Sequence, residues 1–101
     1  MTRATEYVTV EFEWDPAKAK INAGKHGVTF EEAATIFRDP HNRIRPDYEH
    51  WDHEHRMQVI GMSDHGRPLT VVFVERRRRI RLISARRATH LEQKFYVSHK
   101  S

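Results

Sequence analysis

LTVVFVERRRRIRLISARR, Leu69 to Arg87, sets two apolar runs on either side of four consecutive arginines. Leu69–Arg76 reads as a strand, rich in β-branched and aromatic residues. Arg79–Arg86 reads as the next strand, and Arg76–Arg79 as the tight connection between them. Seven of the twelve residues from Arg76 to Arg87 are arginine, yet Ile80, Leu82, Ile83 and Ala85 sit among them. A disordered basic tail has no use for those apolar residues, and a strand buried on both faces does not tolerate the charge. In strict alternation Ile80, Leu82, Ser84 and Arg86 share one face, and Arg81, Ile83, Ala85 and Arg87 the other. Neither face is clean. The strand therefore ends in, or bulges towards, a wet basic surface.

Outward from this hairpin the pattern extends in both directions. RMQVIGMS, Arg56–Ser63, is a further strand, joined to Leu69 through the turn sequence DHGRP. YVTVEFEW, Tyr7–Trp14, alternates, with Val8, Val10, Phe12 and Trp14 on one face. A first helix follows. Asp15 caps it, Pro16 occupies its first turn, Ala17 and Ile21 start a weak apolar stripe, and Gly27 ends it in the left-handed conformation. A second helix opens with Thr29 and Glu32 as a capping box, Val28 stapling to Ala33. Asp39–Pro40 stops it. Asp39–His55 is polar and histidine-rich, compatible with a short edge strand at Arg43–Arg45. A last helix begins at Thr89, with Glu92 completing a capping box and Leu91 and Phe95 facing inward. The order β-α-α-β-β-β-α predicts an α+β fold, an antiparallel sheet with helices on one face. Residues 1–101 form a single domain in this reading, with 1–6 a frayed end.

Composition narrows the function. The chain has 101 residues and a 38% hydrophobic content, enough for one modest core. It has no cysteine, which excludes disulfides, thiolate nucleophiles and cysteine-ligated zinc. No membrane span or signal peptide is evident, so a cytoplasmic location is expected. Up to Gly66 there are eight Lys/Arg against twelve Asp/Glu; from Arg67 onward there are ten against two. The last third is strongly basic and suits a polyanion or an acidic protein partner.

Several blocks, in order, resemble the BrnT family of toxins. FEWDPAKAKINAGKHGVTFEEAATIF carries the family's Trp14-Asp15, Lys18, Asn22, Lys25-His26-Gly27-Val28 and Phe30-Glu31-Glu32-Ala33. EHRMQVIGMSDHGRPLTVVFVERR is similar to its central strands. IRLISARRATHLEQKFY is similar to its closing strand and helix. The resemblance spans roughly Phe12 to Tyr96. It implies a RelE-like fold, a bacterial type II toxin that cleaves RNA, and a cognate DNA-binding antitoxin of ribbon-helix-helix type (BrnA-like). Operator DNA would be contacted only through that antitoxin. The chain departs from the family at Arg76–Arg79, where Gly or an acidic residue is usual, and in its histidine-rich middle.

RNA cleavage by the 2′-hydroxyl requires a base, an acid and cations that stabilise the phosphorane. Lys25 and His26 are the acid/base candidates, at a helix end whose dipole favours a cation. They could equally cap the helix carbonyls. Arg81 and Arg86 are candidate catalytic phosphate clamps, because the guanidinium fork donates twice to one phosphate. Their parity differs, so either a bulge near Ser84–Ala85 rephases the strand or only one of them is in the site, Arg86 being favoured. A substitution at Arg86 is expected to cut cleavage with little effect on stability. Arg56, Arg67 and Tyr96 are RNA-binding candidates, Tyr96 by base stacking or equally as a core aromatic. Glu54 is a candidate second base. Histidines 41, 50, 53 and 55 lack firm ligand spacing, so neither a metal site nor any cofactor is expected. Trp14 and Trp51 read as packing residues. The alternative is a non-catalytic nucleic-acid-binding or antitoxin-binding module.

Overall fold

The computed structural model describes residues 10–50 and 54–98. The expected frayed end, the strand positions Tyr7–Thr9, and Trp51, Asp52 and His53 lie outside the described residues. Five strands form one sheet: β1 (Glu11–Glu13), β2 (Arg43–Pro46), β3 (Met57–Met62), β4 (Pro68–Arg76) and β5 (Arg79–Arg87). Three helices complete it: α1 (Pro16–His26), α2 (Phe30–Thr35) and α3 (His90–Val97). The sheet order is β1-β5-β4-β3-β2. Strands β2 to β5 form an antiparallel meander, and the short edge strand expected at Arg43–Arg45 is present as β2.

The α+β class holds, and two details differ from the expected arrangement. The sheet is mixed, because β1 runs parallel to β5 (Glu11 opposite Arg79, Glu13 opposite Arg81). Between β1 and β2 the chain crosses through two helices, and strand periodicity carries no information on direction across such a crossover. The helices also divide between the faces. Val28, Phe30, Ala33 and Ile36 pack with Val59, Leu69, Val71, Phe73, Leu82 and Ala85 in the main core. Ile60, the next residue along β3, faces the other way and packs with Ala88 and Tyr96, so α3 covers the opposite face. That second face is hard to see in sequence because its neighbours are polar: Arg43 and Thr70 lie beside Ile60 in the register.

The helix ends follow the local chemistry. The Asp15 carboxylate accepts from the Ala17 N–H at 2.9 Å, and Gly27 closes α1 at φ 68° with its N–H donating to the Ala23 carbonyl. Thr89 and Glu92 form the full capping box of α3. At α2 only half of the box forms: Thr29 accepts from the Glu32 N–H, but the Glu32 side chain turns elsewhere. Two residues expected inside are outside. Ile21 is 67% exposed and Leu91 75% exposed, while Asn22 is the buried residue of α1. The apolar stripe on α1 is too weak to set its rotation; a hydrogen-bonded asparagine sets it instead.

Candidate active site

β5 contains the expected irregularity. Ser84 pairs with Val72 and Leu82 with Phe73, which leaves Ile83 as an extra residue with no partner on β4. The bulge lies one residue before the expected position. Its effect is to bring Leu82 and Ala85 both into the core. Past Ile83 the phase of the strand is reversed. Arg81 (opposite Val74) and Arg86 (opposite Thr70) consequently lie on one face, with Ser84 (opposite Val72) between them. The parity conflict in the sequence is resolved by one inserted residue.

A side chain secures this irregular segment. Buried Asn22 donates to the carbonyls of Ala85 at 2.9 Å and Val28 at 3.0 Å, and its own carbonyl accepts from the Ala85 N–H at 3.1 Å. It thus pairs with both backbone groups of Ala85, on the stretch of β5 that β1 does not reach. The same side of α1 presents Lys18, Lys25 and His26 to a cleft of about 200 Å³, whose other wall includes Ile83 and Ser84. The side chains of Lys25 and His26 make no hydrogen bond or ion pair among the described residues, so their polar atoms are available to a ligand. Lys25 and His26 are therefore brought beside the strand that carries Arg81 and Arg86.

The arginines differ in how they are held. Arg86 makes a bidentate pair with Glu92, at 2.7 and 2.8 Å. Burial pushes the Glu92 carboxyl up, but Arg86, the Thr89 N–H and the Thr70 hydroxyl outweigh it and hold the group at about 2. Arg86 keeps a side-chain exposure of 36%, so its outer donors reach solvent. Arg81 is held loosely by Glu13 at 3.4 Å. Glu54 sits nearby, accepting from Arg76 at 3.1 Å. Arg76, with Arg56 and Arg81 at longer range, keeps the Glu54 carboxyl below the usual carboxylate range. The open end of this face thus carries Arg56, Arg76, Arg81 and Glu54 together.

Two sequence candidates are placed in structural roles. Arg67 forks onto Glu32 and donates to the Gly27 carbonyl at 3.1 Å. Arg67 first, with the Ser63 hydroxyl, overcomes burial and holds the Glu32 carboxyl at about 2. This pair fastens the β3–β4 turn to the α1–α2 junction, so Arg67 lies away from Arg81. Tyr96 is 5% exposed, and its hydroxyl donates to Asp39 at 2.6 Å. Burial and the Asp39 charge push the Tyr96 phenol up to about 12. Its ring faces the α3 core, which is the core-aromatic alternative rather than a stacking platform. Among the described residues no group of His, Asp and Glu is placed to hold a metal ion.

Sequence reasoning gave no role to Asn22, to Glu92 beyond its cap, or to Arg45. Arg45 bonds Gln58 at 2.9 Å and stacks on Phe95, extending the cationic face toward α3. A polar residue amid the alanines of a short helix was the available signal for Asn22.

A search of curated proteins finds no match. In fold the chain is similar to the Brucella abortus ribonuclease toxin BrnT, whose crystal structure was solved at 1.1 Å. The two share 22% identity with a TM-score of 0.64, over 81% of this chain and 100% of that one. The family model described as ribonuclease toxin, BrnT, of type II toxin-antitoxin system matches residues 14–92. With that match covering both the α1 motif and the bulged strand, the chain belongs to the BrnT family of ribonuclease toxins of type II toxin–antitoxin systems.

Proposed function

We propose that this chain cleaves RNA without a metal ion, by attack of a ribose 2′-hydroxyl on the adjacent phosphate. The 2′-O–P bond forms, the P–O5′ bond breaks, and the proton lost from the 2′-oxygen is balanced by one delivered to the 5′-oxygen. Lys25 and His26 supply proton transfer from the cleft at Ser84. Arg81 and Arg86 grip the scissile phosphate and stabilise its developing charge. Arg56 extends the phosphate track. Arg67 and Tyr96 act indirectly, Arg67 by fixing the Gly27 turn beside His26 and Tyr96 by seating α3 behind Arg86. The observation that carries this reading is the extra residue Ile83, which puts Arg81, Ser84 and Arg86 on one face with the α1 end alongside.

The protein acts in the cytoplasm, where its RNA substrate lies. A cognate antitoxin of ribbon-helix-helix type neutralises it and carries the complex to operator DNA. The test is cleavage of a defined RNA in EDTA, with analysis of the product ends. Fragments ending in 2′,3′-cyclic phosphate and 5′-hydroxyl are expected. Complete loss on chelation, restored by zinc or magnesium, would sink the metal-free mechanism. RNA binding with no cleavage at all would return the chain to the non-catalytic alternative.

A further inference from the structure

The β4–β5 hairpin ends in four arginines that are not equivalent. Arg76 is taken up by Glu54, and Arg79 by Glu11 at 3.2 Å and Glu13 at 3.4 Å. The side chains of the middle two, Arg77 and Arg78, are exposed and make no hydrogen bond or ion pair among the described residues. Arg77 is also the one non-glycine residue with positive φ among those described, at 59°. A β-branched or long side chain is disfavoured there, and glycine fits freely. The turn thus holds an arginine where local geometry favours glycine, and leaves its charge uncompensated at the tip.

We propose that Arg77 and Arg78 form a phosphate-binding extension of the active face, gripping the RNA backbone several nucleotides away from the scissile bond. This rests on the RNA-cleaving reading above. The tip belongs to the same strand pair as Arg81 and Arg86, so a strand of RNA lying along β5 passes from one to the other. From Arg78 it is roughly 10 Å to Arg81 and roughly 23 Å to Arg86 at about 3.3 Å per residue, allowing for the bulge. At about 3.4 Å per stacked nucleotide the scissile phosphate lies roughly three to seven nucleotides from the tip. A protein partner fits the tip less well. Interface centres are built on apolar and aromatic anchors, and Glu75–Arg79 holds none. Phosphates need no such anchor, only paired donors in a fork.

The experiment compares the wild type with the double variant Arg77→Gly/Arg78→Asn, which keeps turn-compatible residues and so should fold. Binding is measured against salt with 2′-O-methyl RNAs, which lack the nucleophile, of 20 and 4 nucleotides. On the 20-mer the slope of log K against log salt should shrink by about 1.4, at roughly 0.7 for each single-strand phosphate that is no longer neutralised. On the 4-mer it should not change. With cleavable 20-mer, KM should rise while kcat holds. An unchanged slope on the 20-mer overturns the proposal, as does an equal decrease on both lengths. A loss of poly-glutamate binding without a change in RNA slope also overturns it, and assigns the tip to a protein. If the wild type fails to cleave RNA yet the length-dependent slope change appears, the tip proposal stands and the catalytic reading falls.

Discussion

Arg86 is both a structural pair and a phosphate-binding candidate. Its bidentate bond to Glu92 fixes the guanidinium plane while the outer donors remain open. The sequence alone suggests that Arg86→Ala would leave stability nearly unchanged, because it shows no partner. The structure changes that expectation. Removing Arg86 leaves the buried Glu92 carboxylate without its bidentate partner and with only the longer Arg45 contact at 3.7 Å, at a cost of about 1–3 kcal/mol, reduced from the fully buried case because Arg86 is partly open. Loss of a transition-state charge partner should in addition lower kcat by roughly 10²–10³-fold. Urea unfolding separates the two effects, and Arg86→Lys, which keeps the charge but not the fork, should recover part of the stability and little of the rate. A full rate in Arg86→Ala would remove it from the site. The same carboxylates set a pH dependence. Glu32 and Glu92 are both held at about 2, against an ordinary 4.5. Depressed carboxyl values stabilise the fold above the unfolded value, so the full contribution is present above about pH 5. It is lost as pH falls from about 4.5 through about 2. At 1.36 kcal/mol per unit the undiscounted shift sets a ceiling of about 3 kcal/mol for each carboxyl, and solvent screening of the partly open Arg67 and Arg86 guanidiniums lowers both. Denaturant midpoints should fall across this window, and Glu32→Gln should flatten much of the fall.

At the scale of elements, the decisive unit is α1 locked to the bulged stretch of β5. Asn22→Ala would leave the Ala85 N–H and two carbonyls without that partner in a buried place, costing about 2–4 kcal/mol. The rephasing of Arg81 relative to Arg86 depends on the same segment. Asn22→Ala should therefore lower cleavage beyond what the lost stability explains, measured at a temperature where the variant is fully folded. A rate matching wild type under those conditions would mean that the bulge holds itself. Much of this element structure is legible in sequence. Asp15–Pro16, Gly27, Thr29 and Thr89–Glu92 set helix ends through short-range hydrogen bonds, and β3, β4 and β5 follow from alternation and turn residues. The conflicting parity of Arg81 and Arg86 leaves two readings, and the bulge is one of them. What is not legible depends on long-range partners. Glu32 looks like a cap until Arg67 and Ser63 arrive from 31 to 35 residues away. Asn22 looks like a surface residue until Ala85 meets it across 63 residues. The face chosen by α3 is equally hidden, since Glu92, Phe95 and Tyr96 pack against Arg43, Ile60 and Thr70 rather than an apolar stripe.

At the scale of the molecule, charge is segregated by chain position but combined in space. The basic last third supplies β4, β5 and α3, while acidic residues of the first two thirds, Glu11, Glu13 and Glu54, fold back onto its arginines. The exposed pairs among them are weakly held and individually contribute little to stability. They are therefore readily exchanged for a ligand's phosphate, or for carboxylates from another chain. An antitoxin that keeps RNA from the candidate site with an acidic segment over Arg81–Arg87 would replace Glu13 and Glu54 with its own carboxylates. Charged pairs desolvated at such an interface affect the off-rate most strongly. Arg81→Ala and Arg86→Ala should then weaken both RNA cleavage and antitoxin binding, with the antitoxin dissociating faster while association changes less. Surface-immobilised antitoxin and stopped-flow dissociation measure this directly. Cleavage abolished with antitoxin kinetics intact would place the inhibitor on another surface. The end of α1 is then the next place to test, because covering Lys25 and His26 blocks proton transfer without touching an arginine.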